Sequence, residues 1–533
     1  MNVRILFIVS ILIISQIENI IAQSHPSKYR VYFTDKSDAT FDPYAYFDLA
    51  AIQRRLQQNM PLYDYYDLPV NDAYVGVLKQ HDIQVKLLSR WLNAAIVIAE
   101  ESQIHKIESL PFVAYVEKAE NIKVHIAAHD IDDEPLDAGR LKVTDRKILK
   151  DQTARMDAET FLKLGLKGQG IRICVSDVGF SGADNHPAFE HLRKNNKIVA
   201  TKDFVAGGEN VYRGGWHGTA VLSCIAGIIG NSPGGLAPEA EFLLARTEWG
   251  NKEIFAEEEN WVAAAEWADQ MGARIINSSL GYTNDRYFQH DMNGRKTFIT
   301  RGANIAAKKG LLIINAAGNE GAGKWRIIGA PADADSVLSV GGVVPFVNKQ
   351  INFSSFGPTW DLRMKPNVSA QGTAIAAVTK GVKSVDGTSF AAPLVTGFAA
   401  CIWQKFPEKS NMEIFSMIEK SGHLYPYFDY AHGFGVPSAG RALQIDTLAK
   451  TKPFSIERDD SNADLVKVLI HEIDSTSQNL LYYHIADHRN VLREYYLMDI
   501  KDNLQPLVLK ASRTRKPAIL RVHYKGDTQE FKF

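Results

Sequence analysis

Short apolar runs that lead into glycine-containing turns are the feature that most limits the fold of this chain. Residues 171–176 are largely apolar and lead to Asp177, and the fully apolar residues 311–314 lead to a turn that carries Asn319. Such runs are typical of strands buried in a parallel sheet, whose chemistry lies at the carboxyl ends of the strands. The sequence therefore predicts an α/β fold, although each polar residue alone is equally typical of an ordinary turn.

A third apolar segment begins with a serine. Gly387 and Thr388 precede Ser389, Pro393 lies within the first turn, and apolar residues continue to Trp403. The N-terminus of a helix offers unpaired N–H groups and a positive dipole end, which suit a hydroxyl that becomes an anionic adduct. The alternative is an ordinary N-cap serine.

Two further segments carry polar residues at comparable positions. His217 opens a helix of small and apolar residues, and a strand-like run ends in Ser279, Leu280 and Gly281. For His217 alone, a capping or core histidine is the commoner explanation. These segments indicate a function only when they are taken together with the first three.

The order of the segments resembles that of the subtilisin-like serine peptidases. The matching motifs are D-x-G at 177–179, H-G-T-x-V at 217–221, S-L-G at 279–281, A-A-G-N at 316–319 and G-T-S-x-A-x-P at 387–393. Five matches in the family's order make the resemblance specific, and they cover roughly residues 150–445. One position departs from the family, because Val178 stands where Thr or Ser is usual. That position is not catalytic.

The resemblance implies a three-layer α/β fold around a parallel sheet and the activity of a serine-type endopeptidase, a hydrolase that cleaves a peptide or protein substrate. The implied site residues are the catalytic Asp177, His217 and Ser389, the oxyanion donor Asn319, and the substrate-binding Ser279, Leu280 and Gly281. The implied chemistry requires no cofactor and no catalytic metal.

Other hydrolase schemes fit the sequence less well. Ser389 is flanked by Thr388 and Phe390, so the G-x-S-x-G elbow is missing, and the chain has no H-E-x-x-H motif. Acid-active relatives of the subtilisins use Glu where this chain has His217. Two alternatives stay open: a catalytically silent scaffold that only binds peptides, and an esterase or amidase with the same triad.

Composition and the N-terminus predict a secreted protein. The net charge of −1 and the hydrophobic content of 45% over 533 residues do not point to nucleic acid or to a membrane surface. Arg4 is followed by an apolar run from Ile5 to Ile14, too short to span a bilayer, and Ala22 offers a cleavage point. We expect a signal peptide over residues 1–22 and a secreted, cell-surface or periplasmic location without a stable membrane span. A retained N-terminal anchor is the alternative.

Residues 27–120 predict a separate small domain in the order β-α-α-β-β-α-β. Its predicted helices include residues 42–58, capped by Asp42, and residues 71–80. This order resembles the ferredoxin-like α+β prodomains of the family, which implies a folding chaperone and an intramolecular inhibitor. Cleavage is expected near the start of a linker over 121–150, and an independent binding domain is the alternative.

The remaining sequence divides into two further predicted regions. The catalytic domain is expected over residues 151–446, and residues 452–533 predict a small β-sandwich. The predicted strands of the sandwich are 465–470, 480–486, 493–500, 506–510, 518–524 and 528–533, with a hairpin turn at 525–527. A sorting domain and a stabilising or substrate-binding appendage are both open interpretations of this region.

The sequence gives little sign of disulfides or of a metal loop. Cys174, Cys224 and Cys401 all lie in apolar segments, which favours buried free thiols over a Cys224–Cys401 disulfide. The chain has no D-x-D-x-D-G loop, so no metal ligands are predicted and a structural calcium ion stays an open question.

Three consecutive acids, Glu257, Glu258 and Glu259, open a predicted helix over residues 256–270. Acids at this position stabilise a helix N-terminus. The resemblance places the same stretch beside the non-primed side of a substrate, so the second hypothesis is a preference for basic residues upstream of the cut.

Overall fold

The computed structural model describes residues 26–119, 136–249, 256–284, 286–445, 452–462, 465–474, 478–501, 507–510 and 518–533. The predicted signal peptide and the first part of the predicted linker lie outside these ranges. The chain divides into two compact units. One contains residues 26–41 and 63–119, and the other contains residues 42–62 and the described residues from 136 onward.

The N-terminal region contains four strands and four helices. They are β1 Ser27–Phe33, α1 Pro43–Tyr46, α2 Leu49–Gln57, α3 Asp72–Gln80, β2 Gln84–Ser89, β3 Ala94–Ala99, α4 Glu101–Glu108 and β4 Val113–Ala119. The strands form an antiparallel sheet in the order β2-β3-β1-β4. This is the predicted ferredoxin-like arrangement, and α3 and α4 contribute Leu78 and Ile107 to the core beneath the sheet.

The single helix predicted over residues 42–58 is two helices in the structure. Asp42 accepts a hydrogen bond from the N–H of Tyr44 and caps α1, as predicted. Asp48 then accepts from the N–H of Ala50 and starts α2. The extended backbone of Phe47 ends the first helix, and Asp48, an N-cap that itself lies outside the helical region, starts the second.

The central region forms an α/β fold. Its helices are α5 Val143–Ala154, α6 Ala158–Lys163, α7 Glu190–Lys194, α8 His217–Ala226, α9 Ala256–Gln270, α10 Phe298–Lys308, α11 Thr388–Lys405, α12 Asn411–Lys420 and α13 Ala439–Ala442. Its strands are β5 Arg172–Asp177, β6 Ile198–Asp203, β7 Ile228–Ile229, β8 Ser232–Pro233, β9 Glu241–Arg246, β10 Ile275–Ser278, β11 Leu312–Ala316, β12 Val337–Val343, β13 Val368–Gln371, β14 Thr373–Ala377 and β15 Val382–Asp386. Helix α5 begins inside the segment that the sequence analysis assigned to the linker.

Seven of these strands form one parallel sheet in the order β13-β12-β11-β10-β5-β9-β6. Helices cover both faces. The neighbouring residues Asn277 and Ser278 of β10 point to opposite faces, and they bond to Thr396 on α11 and to Trp261 on α9 respectively. The three-layer α/β fold predicted from the sequence is thereby confirmed.

The C-terminal region is a small sandwich of two antiparallel sheets. Its strands are β16 Phe454–Arg458, β17 Leu465–Ile470, β18 Leu480–Asp487, β19 Leu492–Asp499, β20 Leu507–Lys510, β21 Ala518–Tyr524 and β22 Asp527–Lys532. The sheets are β16-β17-β20 and β19-β18-β21-β22, and Val468 of one packs in the same core as Leu520 of the other. Lys525 and Gly526 both have positive φ, as a two-residue hairpin turn of type I′ requires.

The three cysteines are buried and free. Burial raises the pKa of each thiol, that of Cys224 to about 12. These positions therefore hold small apolar side chains rather than a disulfide. Within the described ranges, no helix combines the length and the apolar character needed to cross a membrane.

Candidate functional site

The carboxyl end of β5 and the start of α8 bring Asp177 and His217 together. The side chain of Asp177 is buried, and its Oδ1 accepts a hydrogen bond from the N–H of Val178 at 2.8 Å. The same oxygen lies 2.9 Å from Nδ1 of His217. The histidine side chain is 24% exposed, so the pair has a buried carboxylate and an imidazole that reaches the surface.

Ser389 lies in the first turn of α11, directly after an unusual glycine. Gly387 has φ 155° and ψ 150°, a region that essentially only glycine adopts. This turn leaves the N–H of Ser389 at the helix N-terminus, where no intrahelical acceptor exists. The serine hydroxyl donates to the carbonyl oxygen of Ser279 at 3.2 Å.

Asn319 is held beside this turn by Thr388. Its Oδ1 accepts hydrogen bonds from the N–H of Thr388 at 2.9 Å and from the Thr388 hydroxyl at 3.0 Å. Two bonds to the oxygen leave the amide nitrogen as the donating end of the side chain. That nitrogen lies next to Gly387, since a Cβ added there would be 3.5 Å away from it.

Strand β10 leads into the predicted substrate-binding residues. Ser279 and Leu280 are buried, whereas an added Cβ on Gly281 would meet no atom within 4 Å. The carbonyl of Leu280 accepts from Asn315, and Tyr282, the residue after Gly281, exchanges two backbone hydrogen bonds with Ala330. The open space at Gly281 therefore lies beside backbone that is fixed on both sides.

Sequence reasoning missed the polar network beneath the serine. Thr396 on α11 donates to Asn277 at 2.8 Å, and Asn277 donates to the Ser279 hydroxyl at 3.3 Å. The Ser279 hydroxyl in turn donates to the carbonyl of Ser389 at 2.8 Å. The sequence signals of this network are weak: Thr396 is an isolated polar residue in an apolar helix, and Asn277 opens the polar run Asn277-Ser278-Ser279 after two isoleucines.

The ring of Phe390 connects the two halves of the site. Phe390 follows Ser389 on α11 and is buried. Its ring centroid lies 5.4 Å from that of His217. The structure thus brings Asp177, His217, Ser389 and Asn319 to one edge of the sheet, the edge that the sequence predicted.

The three acids of α9 do not face a substrate. Glu257, Glu258 and Glu259 are all buried. Arg286 pairs with Glu257 at 2.9 Å and with Glu258 at 3.3 Å, and the hydroxyl of Tyr287 donates to Glu258 at 2.8 Å. These internal partners contradict the hypothesis that the carboxylates select basic residues upstream of the cut.

No group of three or more His, Cys, Asp or Glu side chains in the described part of the chain is arranged to hold a metal ion. The four principal residues of the candidate site come from β5, α8, α11 and the turn after β11.

Comparison with known proteins adds independent findings. The model of the subtilase family matches residues 168–435, and the model of the Bacteroidota peptidase S8 propeptide domain matches residues 28–133. Alkaline elastase YaB from Bacillus sp. (strain YaB) is 29% identical over 351 residues, which cover 64% of this chain and 78% of the relative. Subtilisin E from Bacillus subtilis (strain 168) is 28% identical over 365 residues, covering 67% of this chain and 83% of the relative.

A solved structure shares the fold. The epidermin leader peptide processing serine protease from Staphylococcus aureus superposes with a TM-score of 0.57 and 17% identity, covering 80% of this chain and 100% of that one. The seven-stranded parallel sheet and the two family matches agree with one another. The chain is therefore a member of the subtilase family, a serine-type endopeptidase with an N-terminal propeptide domain.

Proposed function

We propose that this protein is a secreted serine endopeptidase that cleaves peptide bonds through Asp177, His217 and Ser389 and is activated by removal of its propeptide. The observation that carries the proposal is the buried carboxylate of Asp177, 2.9 Å from Nδ1 of His217, at the same sheet edge as a serine on a helix N-terminus. The proposed reaction uses side chains, backbone groups and water, without a cofactor.

The first step is attack by the serine. With its Nδ1 proton directed at Asp177, the imidazole of His217 accepts a proton at Nε2. Ser389 exchanges its bond to the Ser279 carbonyl for one to His217, and its Oγ attacks the scissile carbonyl. The buried Asp177 stabilises the imidazolium, which then delivers the proton to the leaving amine. Water hydrolyses the resulting acyl-enzyme by the same route.

The second part of the proposed mechanism is stabilisation of the oxyanion. The N–H of Ser389 and the amide nitrogen of Asn319 are the proposed donors. Thr388 holds the Asn319 amide by its oxygen, so the donor is oriented before the substrate arrives. Such preorganised donors are effective because they need no reorientation during the reaction.

The substrate is proposed to bind as an extended chain along Ser279, Leu280 and Gly281. The open space at Gly281 supports this, since a side chain there would narrow the approach. Extended peptides commonly add to an exposed backbone edge through main-chain hydrogen bonds. The proposal makes no use of Glu257 or Glu258, whose carboxylates are occupied internally.

The propeptide is proposed to act as an intramolecular inhibitor until it is cleaved. The proposed division of the chain is a signal peptide over 1–22, a propeptide over 27–120, a linker from 121, a catalytic domain to 446 and a β domain over 452–533. The match of the propeptide model to residues 28–133 supports the second of these regions.

The direct test compares the N-terminus and the mass of the purified secreted protein with those of Ser389→Ala. We expect the parent chain to lose about 100–130 residues, the size of a small domain, and Ser389→Ala to keep them. If both chains kept their full length, self-cleavage would be excluded, and the catalytically silent peptide-binding scaffold would be the better account.

A further inference from the structure

Residues 42–62, which we call the anchor segment, belong to the propeptide by sequence but not by packing. They fall within the propeptide match over residues 28–133. In the structure they form part of the second compact unit, together with the peptidase. The chain enters the segment from residue 41 and leaves it at residue 63, both of which belong to the propeptide sheet unit.

Two buried arginines join the anchor segment to the peptidase. Arg54 and Arg55 lie on α2 and are each 1% exposed, and Asp269 on α9 is 2% exposed. Arg55 donates to one carboxylate oxygen of Asp269 at 2.7 Å. Arg54 donates to the other oxygen and also to the carbonyl of Ala273. Buried charges are tolerated only when they are paired, so this carboxylate fits a partner with two adjacent cations.

Further polar contacts join the anchor segment to the C-terminus of α9 and to the residues at the starts of β5 and β10. The N–H of Asp48 donates to the carbonyl of Gln270 at 2.9 Å, and the Gln270 side chain donates to the carbonyl of Tyr46 at 3.0 Å. Arg172, the first residue of β5, pairs with Asp48 at 3.2 Å. Arg274, directly before β10, donates to Gln57. The segment therefore crosses the amino ends of two central strands.

The backbone of the anchor segment approaches the backbone of the peptidase closely at Gly272. Gly272 has φ +74°, and a Cβ added there would lie 2.5 Å from the backbone nitrogen of Ala51. A glycine lets two backbones approach where any side chain would intervene. The surface around Gly272 is thus shaped to receive the first turn of α2.

This surface lies far from the proposed catalytic residues. Strand β5 runs from Arg172 at the anchor to Asp177 at the site. Five steps of about 3.3 Å place the two ends about 16 Å apart on opposite edges of the sheet. Binding of the anchor segment therefore does not require occupation of the substrate cleft.

We propose that residues 42–62 anchor the propeptide to the peptidase at the amino edge of the sheet and keep it bound after cleavage. The partner that this surface fits is a short helix carrying adjacent arginines, supplied by the chain's own propeptide. The inference rests on the proposed function, because it concerns the fate of the propeptide once it has been cut. Release of the cleaved propeptide is then a separate step from its cleavage, and its rate depends on the contacts of Asp269 rather than on the substrate cleft.

The first experiment follows the processed full-length chain, carrying a C-terminal affinity tag, on the affinity matrix. We expect the cleaved propeptide to stay bound in the parent. In Asp269→Asn, and in the double variant Arg54→Ala with Arg55→Ala, it should dissociate about 100-fold faster or more, because the buried ion pairs between α2 and α9 are removed. Gln53→Ala, on the exposed face of the same helix, is the matched control and should retain the parental rate.

The second experiment does not depend on cleavage. In the Ser389→Ala precursor, hydrogen exchange at residues 49–57 should be about 100-fold faster in Asp269→Asn than in the parent, while strands β11 and β12 stay protected. Arg55→Lys provides a milder variant if Asp269→Asn does not fold, and its faster exchange should be confined to the same segment.

The outcomes separate the two proposals. Unchanged propeptide release in Asp269→Asn and in the double variant, or unchanged exchange at residues 49–57, would overturn the anchor. A parent chain that never cleaves itself would instead contradict the proposed function, and the exchange experiment would still decide whether the anchor exists.

Discussion

Two aspartate–histidine pairs with the same shortest carboxylate–Nδ1 distance lie in the peptidase unit, and they differ in what the outer imidazole nitrogen faces. Asp177 and Asp429 are both buried, and each has a carboxylate oxygen 2.9 Å from Nδ1 of its histidine. The side chain of His432 is only 5% exposed, and its Nε2 accepts a hydrogen bond from the N–H of Gln350 at 3.0 Å. His217 is instead 24% exposed and packs beside Phe390, the neighbour of Ser389.

The comparison separates what the candidate catalytic pair shares with a structural pair from what it does not. A backbone N–H only donates, so Nε2 of His432 carries no proton and Nδ1 donates to Asp429. Burial opposes ionisation of Asp429, but His432 and two backbone N–H groups hold the pKa of this carboxyl below its usual value. A buried aspartate thus fixes the same tautomer in a structural pair. Only the surroundings of Nε2 make the Asp177–His217 pair a candidate for proton transfer.

The largest expected effect is that of His217→Ala. Self-cleavage of the precursor should slow by about 10⁶, the scale known for loss of the histidine in subtilisin, because no other group takes the serine proton. The rate of propeptide cleavage on a denaturing gel provides the measurement. His432→Ala is the matched control and should leave the cleavage rate of its folded fraction within a few-fold of the parent. If both variants lost self-cleavage activity equally, the two pairs would not differ in function.

Asp177→Asn should slow self-cleavage by about 10⁴, the loss found for the equivalent change in a Ser-His-Asp protease, since the amide favours the wrong imidazole tautomer. The same gel assay measures it. A loss below about tenfold would mean that the buried carboxylate has the structural role of Asp429 and nothing more.

Asn319→Ala should slow self-cleavage by about 10²–10³, a scale that comes from subtilisin itself, because one oxyanion donor is removed. After processing, kcat on a peptide substrate should fall while KM stays close to that of the parent. A rise in KM with unchanged kcat would show that Asn319 binds the ground state rather than the oxyanion.

Asp429→Asn tests whether the second pair contributes to stability alone. It should lower the free energy of unfolding by about 1.5–3 kcal/mol, as expected for hydrogen bonds to a buried charged group. Urea unfolding of the Ser389→Ala chain measures the loss. The self-cleavage rate of the folded Asp429→Asn protein should match the parent, and a catalytic loss without a stability loss would contradict the structural role.

The smallest effect is a pH dependence that involves neither pair directly. Burial lowers the pKa of His484 to about 4 and that of His523 to about 3. As pH falls below the unfolded value of about 6.5, the unfolded chain binds protons that the folded chain does not, so stability is lost from pH 6.5 toward pH 4. The urea midpoint of the Ser389→Ala chain should fall across this window, and His523→Gln should reduce the slope.

His471→Gln, on an exposed position of the same sandwich, is the control for this pH experiment and should keep the parental slope. A urea midpoint that stayed constant between pH 6.5 and pH 4 would mean that His484 and His523 bind protons equally in both states.

The sequence predicted those parts of the fold whose signals are local. The strands before Asp177 and Asn319 lie in largely apolar runs, and the turn at Lys525 is marked by the glycine that follows it. Strand β16, Phe454–Arg458, was not predicted, because it alternates too briefly to be distinguished from a loop. Helix α2 was merged with α1, because the capping role of Asp48 depends on which residue leaves the helical region.

The features that sequence reasoning did not find are contacts between residues distant in the chain. The pairing of Arg286 with Glu257 is invisible in a motif, and it contradicts the hypothesis that the acids on α9 select basic residues in the substrate. The pairing of Asp269 with Arg54 and Arg55 spans two regions that the sequence assigned to different domains. Such long-range partners are decided by packing rather than by local pattern.

Labelling of the processed protein by a fluorophosphonate, followed by peptide mapping, tests directly whether the Asp177–His217 pair activates Ser389. We expect one adduct on Ser389, which is present in the parent and in the folded His432→Ala protein and is lost in His217→Ala processed by an added protease. An adduct on another residue, or equal labelling of Ser389 with and without His217, would contradict the claim that the Asp177–His217 pair activates this serine.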